Sequence, residues 1–382
     1  MISNYKVAIV TNVIPQYRED MYRRLVEYYG DRLDIYCQDS VSGMNLNLVH
    51  DKFKSNTSII KSIGLKKEKL SWQFLPIFHL YNKYDLIYFY GNPRVFSSVI
   101  CSLILLLLGK KIIIWGQYHT AGANSFLERV RLLWWKRFEG VFLYTDAEAE
   151  KYKKRYPATR FVSAMNNGIN INDVDTAIEM YSGERFEKWQ AENKLIDKFV
   201  VLSCARLDKK NKFSLFMECI PSLLVEYPAL IWCIIGNGDE EKRLKELSIR
   251  LNIQSNVIFL GSEYEQEKLA PWFLTSKLLI HPGSIGLSLI HSMSYGLPVV
   301  THNNIAMQMP EIDALEDGVN GFLFEENNYN SMSEIVRNIL NNNIDVNKIS
   351  ENAKSIIRSK YNTKSMANNF IQLTCRVMES RQ

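Results

Sequence analysis

The run HPGSIGLSLIHSMSYGLPVV, His281 to Val300, sets polar side chains where a buried helix would carry apolar ones. KLLIHP reads as the end of a strand and Gly283-Ser284-Ile285-Gly286 as a turn. LSLIHSMSY then makes a short helix closed by Gly296, with Pro298 just beyond. The carboxyl end of a strand is where an open parallel sheet binds its ligand. Glycines there admit close approach of backbone, and the following helix opens with free N–H groups and about half a positive charge. Such an edge suits an anion. His291 lies seven residues after Ser284 on the same helix face, with Ser288 between them. Its imidazole is either a hydrogen-bonder turned to a ligand or a core histidine satisfied by a serine.

A second cationic edge is CARLDKKNK, Cys204 to Lys212. Arg206 directly follows the strand FVVLSC, and Lys209, Lys210 and Lys212 come after it. A guanidinium forks onto phosphate oxygens and a lysine adds a point charge; Lys209 reads better as a solvated turn charge. IIGNGDEE offers Gly236 and Gly238 opening a helix, weak as a fingerprint but apt for bringing backbone to a ligand. Pro310-Glu311 begins a third feature, MPEIDALEDGVNGFLFEENN, whose Asp-Gly and Asn-Gly turns lead into a short strand. Metal spacing is missing. His281, His291 and His302 form no i,i+4 pair, and Asp173-Val-Asp175 falls between the two halves of the chain. No metal and no resident cofactor are expected; Arg206, Lys212 and the helix N-terminus would neutralise a phosphate instead. Nicotinamide is not expected either, because VAIVTNVIPQYR has no glycine after the first strand.

These edges need sheets to carry them. Apolar runs alternate with helical patterns throughout: KVAIVTNV, LDIYC, DLIYFY, KIIIW, GVFLYT and RFVSA, then FVVLSC, LIWCIIG, NVIFLG, KLLIH and LPVVTH. Strands apolar on both faces require helices on both sides, so the expectation is α/β, two doubly wound parallel-sheet domains. The 382 residues fit two domains. They are placed at 1–175 and 176–363, with the polar ERFEKWQAENKLIDK near the boundary and a last helix at about 364–382 packing back on the first. Residues 1–190 hold 26 Lys/Arg against 19 Asp/Glu, and the rest 20 against 22, so the basic half suits an acidic partner or anionic membrane. Nothing sustained points to nucleic acid. Six scattered cysteines without a Cys-x-x-Cys pair fit a reducing compartment, and no cleavable leader precedes the first strand, so a cytoplasmic protein is expected. VICSLILLLL, Val99 to Leu108, is too short to span a bilayer and is expected to be a buried helix. In SFLERVRLLWWKRF, Leu127, Val130, Trp134 and Phe138 recur at helical spacing among Arg129, Arg131, Lys136 and Arg137. That helix either lies on an anionic bilayer or is a core helix with a solvated edge.

The string ARL, IIGNGDE, NVIFLG, P-G-S-I-G-L, SMSYGLPVV, PEI and DGVNGFLF resembles the C-terminal domain of GT-B glycosyltransferases, close to glycosyltransferase family 4, over about residues 199–330. The first half agrees more loosely through IPQYRED, WGQYH and NNGIN. The resemblance implies two Rossmann-like domains facing a cleft, with a sugar nucleotide on the C-terminal domain and an acceptor on the N-terminal one. It carries Arg206, Gly236, Gly238, Gly261, Gly286, Leu287 and Glu311 onto the donor site. The family's lysine falls at Asn211, leaving Lys210 or Lys212 as the cation. Gly283 and His291 stand where the family has glutamates, one on the donor sugar and one on the ribose; Ser284 belongs to the same turn. His119 resembles the histidine that contacts the transferring sugar, a candidate base if the enzyme inverts. Tyr17 and Arg18 would serve the acceptor. The implied activity is metal-independent, retaining transfer from a nucleotide sugar to a glycan or lipid-linked acceptor, in bacterial surface polysaccharide synthesis such as O-antigen or capsule, at the inner face of the membrane. A sugar-nucleotide epimerase of the same fold and a non-catalytic binding subunit are the alternatives.

Overall fold

The computed structural model describes residues 4–40, 48–65, 70–119 and 125–380, without the side chains of 65 and 125–127. It divides into two units, 1–169 with 363–382, and 170–362. In the first, β1 (Val7–Val10), β2 (Leu33–Cys37), β3 (Thr57–Ile59), β6 (Leu86–Tyr90), β7 (Lys111–Gly116), β8 (Gly140–Leu143) and β9 (Phe161–Ala164) form one sheet, while β4 (Ser62–Leu65) pairs antiparallel with β5 (Leu70–Gln73). The sheet order is β3-β2-β1-β6-β7-β8-β9, with every pairing parallel. Val7 and Ile9 belong to the core on one face with α1 (Glu19–Tyr29). Ala8 and Val10 belong to the other, under α2 (Ile77–Lys83), α3 (Phe96–Leu107), α4 (Ser125–Trp135) and α5 (Asp146–Arg155). This is the period-two alternation of a strand covered on both sides.

One expectation is corrected here, and for α4 the core-helix alternative is the one that fits. The Val99–Leu108 run is only half buried: Ile104, Leu107 and Leu108 are exposed, as is Phe96 ahead of it, while Ser97, Ser98, Cys101, Ser102 and Leu105 face inward. The small inner residues are each bonded or packed, Ser97 Oγ accepting from Gln73 N–H and Ser102 Oγ from Trp134 Nε1. Trp134 and Trp135 are in turn buried, so α4 offers no tryptophan to a bilayer. The Trp135 ring fills space opened by Gly91, where a Cβ would come within 2.4 Å of it. Leu127 lies outside the described side chains.

The second unit holds α6 (Ile171–Met180), α7 (Glu184–Glu192), α8 (Phe213–Met217), α9 (Ile220–Glu226), α10 (Glu241–Arg250), α11 (Gln266–Thr275), α12 (Leu287–Ser294), α13 (Tyr329–Leu340) and α14 (Val346–Ser359). Its strands are β10 (Phe199–Cys204), β11 (Leu230–Ile235), β12 (Val257–Gly261), β13 (Leu278–His281), β14 (Val299–His302) and β15 (Phe322–Phe324), in the parallel order β12-β11-β10-β13-β14-β15. The polar segment 184–198 is not a linker: Trp189 packs edge-on against Trp272 at 4.8 Å and Gln190 donates to Thr275. Asp175 pairs with Arg358 of α14. The change of unit therefore falls at Asn170, ahead of 175. The chain finally returns to the first unit as α15 (Thr363–Glu379), whose Phe370 stacks on Tyr88 at 4.0 Å. No described helix is long and apolar enough to cross a membrane.

Candidate active site

In the second sheet the chain fills β11 and β12 on one side of β10, then β13 to β15 on the other. The carboxyl ends of β10 and β13 flank this reversal, where open α/β sheets form their crevice. Arg206 follows β10 and the glycine turn follows β13, so the two edges singled out by sequence are neighbours. Ser284 N–H donates to Lys210 O at 3.3 Å. A Cβ on Gly283 would lie 2.1 Å from that same oxygen and 2.5 Å from Asn211 Cα, so only glycine fits this crossing without moving backbone.

Arg206 is exposed and makes no ion pair with a described residue. Lys210 is exposed beside it, its Nζ 3.7 Å from Asp208. Asn211, at the family's lysine position, is buried and donates to Arg206 O at 2.7 Å, so it ties the loop together. Lys212 has left-handed backbone, and its Nζ donates to Glu326 at 2.6 Å and to Asn327 at 3.0 Å. The Lys212 and Asn304 bonds hold the Glu326 carboxyl below its ordinary range. With Lys212 committed to that pair, Lys210, whose backbone oxygen meets the turn, is the more exposed cation and keeps only the longer contact with Asp208.

Gly236 and Gly238 press the loop after β11 onto the loop after β10, where Cβ atoms would meet Ala205 O at 2.0 Å and Leu207 O at 2.2 Å. Gly236 N–H donates to Gly261 O at 2.7 Å, and Gly261 takes the positive φ that this bridge requires. Ile285 N–H in the turn donates to Gln308 Oε1 at 2.8 Å, and Gln308 Nε2 donates to Thr301 Oγ1 and His302 O. No side chain caps α12, whose first residue is Leu287. The buried Glu311 carboxylate approaches to 3.8 Å from where a Gly286 Cβ would be. Ser284 Oγ has no hydrogen-bond partner among the described residues. His291 is half-buried on α12, its Nε2 2.9 Å from Gln266 Oε1 and its ring beside Phe273 and Tyr295. Burial pushes its pKa down to about 4. It is a neutral imidazole.

In the first unit, Arg18 lies at the reversal between β1 and β6. It is 3% exposed, with its guanidinium 5.1 Å from the Trp115 and Tyr144 ring centres and 5.4 Å from Tyr17, and it donates to Asn167. Tyr17 stays exposed above it. His119 follows β7, half-buried, with its backbone N–H on Glu148 and Nδ1 3.3 Å from Glu128 Oε2. An imidazole beside a carboxylate is oriented as a base or a hydrogen-bond donor must be. Gln308, Glu326, Glu128 and Glu148 escaped the sequence reading, since no local pattern marks them. Among the described residues no three His, Cys, Asp or Glu side chains group to hold a metal.

Residues 185–356 match the family described as glycosyl transferases group 1. An uncharacterised glycosyltransferase of Haemophilus influenzae is 25% identical over 260 residues, 66% of this chain and 65% of that one. A poly(ribitol-phosphate) α-N-acetylglucosaminyltransferase of Staphylococcus aureus is 24% identical over 177 residues, 46% of this chain and 35% of that one. The chain thus spans less than two thirds of the length of these relatives. Among solved structures, Anabaena HepE in complex with UDP superposes with a TM-score of 0.73 at 17% identity, covering 97% of this chain and 99% of that one. A glycosyltransferase of Rickettsia africae gives 0.74 at 14% identity, covering 98% and 99%.

Proposed function

We propose that this chain, whose residues 185–356 match the glycosyl transferases group 1 and whose fold is GT-B, moves a sugar from a uridine diphosphate donor to a glycan or lipid-linked acceptor. The observation that carries this reading is the junction of β10 and β13. Exposed Arg206, the Lys210 loop, the tight Gly283 turn and the uncapped start of α12 lie together there. That is a diphosphate cradle in its chemistry: fixed backbone donors, a helix dipole and two cations. Complexes of HepE with UDP and with UDP-glucose support the uridine nucleotide, and the staphylococcal relative's name supports a bacterial surface polymer as acceptor.

In this reading the anomeric carbon–oxygen bond to the β-phosphate breaks as charge grows on that phosphate. Arg206, Lys210 and the α12 N-terminus stabilise the charge as it develops. The acceptor hydroxyl forms the new bond on the same face and passes its proton to the departing phosphate oxygen, which retains configuration. His119, held by Glu128, contacts the transferring sugar. Tyr17 serves the acceptor, with Arg18 as the packed support beneath it. His291 and backbone at Gly283 replace the carboxylates of the related motif, and this leaves a sugar-binding subunit without turnover as the second reading.

Calorimetry of UDP, GDP, dTDP and CMP with the wild type and Arg206→Ala tests the donor site. UDP should bind best, and the variant should lose at least tenfold in affinity, since a charge-assisted bond contributes about 1.5–3 kcal/mol. Its melting without ligand should not change, because Arg206 holds no ion pair with described residues. Equal UDP affinity in both proteins removes Arg206 from the site. Nuclear magnetic resonance of the products then reads turnover and anomeric configuration, and UDP binding with neither transfer nor hydrolysis would favour the binding subunit.

A further inference from the structure

Helix α3 is inside out. Ser97, Ser98, Cys101, Ser102 and Leu105 form the stripe packed on the sheet, and the opposite stripe runs Phe96, Ile100, Leu103, Ile104 and Leu107 with no polar residue. Leu107 is 87% exposed, and Leu108 just beyond the helix is exposed as well. The stripe continues sideways. Trp72 lies 6.3 Å from Phe96, α2 packs beside α3, and α2 presents Phe78, 84% exposed, together with Tyr81. On the other flank, α4 is joined to α3 by the Trp134–Ser102 bond and exposes Val130 and Leu133. Contiguous apolar surface across three helices is more than a soluble monomer leaves uncovered without a use.

Charge identifies the occupant. Between residues 57 and 138 the exposed charges among the described residues are Lys61, Arg94, Arg129, Lys136 and Arg137 against Asp85 alone. Lys110, at the C-terminal end of α3, lies with its Nζ 4.8 Å from the Tyr81 ring centre. A second copy of this chain would set one cationic rim against another. An anionic bilayer instead takes the apolar stripe into its acyl boundary and the cations at its headgroups. We infer that α2 and α3 form the face by which this protein lies on an anionic membrane, with α3, not the buried tryptophans of α4, as the inserted element.

Co-sedimentation with phosphatidylglycerol–phosphatidylcholine vesicles and with pure phosphatidylcholine vesicles tests this. The wild type should bind the anionic vesicles and lose most of that binding at high salt. Phe78→Ser/Leu107→Ser should bind at least tenfold more weakly while keeping the wild-type melting temperature, because both side chains are already in solvent. Lys136→Ser/Arg137→Ser should lose binding to anionic vesicles only. No binding by the wild type, or equal binding by Phe78→Ser/Leu107→Ser, overturns the inference. So does a wild-type dimer in size-exclusion chromatography that Phe78→Ser/Leu107→Ser makes monomeric, since a second copy would then cover the face. No substrate enters these measurements, so they stand apart from the transferase reading.

Discussion

His281 ends β13 and His291 sits on α12, so the two imidazoles bracket the glycine turn. Burial pushes each down to about 4 from the ordinary 6.5, and His302 is lowered by the same cause. A depressed histidine pKa means that between about pH 4 and 6.5 the unfolded chain binds more protons than the native one. The contribution to stability is therefore complete above 6.5 and is lost as pH falls towards 4. For His281, 1% exposed, linkage puts the loss at up to about 2 kcal/mol by pH 5. Urea unfolding at pH 7 and pH 5 should show this fall, and His281→Gln should flatten part of it. The carboxyl of Glu326, held low, acts only at more acid pH, so the windows separate. Equal midpoints at both pH values would mean that these histidines are not held neutral. Gln266 accepts from both His291 and Tyr295, so a glutamate at 291 would face a carbonyl oxygen beside Phe273, and restoring the related motif there would work against the packing.

At the scale of elements, the turn between β13 and α12 is positioned from two sides. The 209–211 loop closes on Gly283, and Gln308 clamps Ile285 to the end of β14. Gly283 was legible because glycine at a strand end is a local signal. Gln308 was not, because it works across 23 residues with nothing periodic to mark it. Likewise the run in α3 announced a helix but not its orientation: with apolar residues on both sides, hydrophobicity alone does not choose a face. The choice falls to side-chain size at the close approaches, where Ser97 meets β5 and Ser102 meets α4 and, of the leucines, only Leu105 is fully buried. Gln308→Ala should strand the Ile285 N–H and two acceptors, costing about 1–3 kcal/mol. Because the same N–H fixes the turn, donor KM should rise as well. Wild-type melting and KM in the variant would show that the 209–211 loop alone holds the turn.

At the scale of the whole molecule, composition and strand alternation sufficed for two doubly wound units, because parallel sheets leave continuous apolar runs that survive any detail of packing. The exact crossing points were less legible: α7 looks like a linker by its charge, yet Trp189 and Gln190 bind it to α11. The return of α15 has a firmer physical basis. Met366, Ala367, Phe370, Leu373 and Val377 complete the core under β1 and β6, far from their place in sequence. Phe370 stacks on Tyr88 and meets Tyr29 and Phe142 edge-on. Phe370→Ala should therefore cost the first unit about 3–5 kcal/mol, although it belongs to the last helix of the chain. UDP, if held by the second unit, should raise that unit's stability by mass action and leave the first unit's unchanged. Scanning calorimetry of wild type and Phe370→Ala, each with and without UDP, separates the two. The variant should lower one transition and the nucleotide should raise the other. A single transition moved by both would mean that the units unfold as one, and that the closing helix stabilises the donor-binding sheet as much as its own.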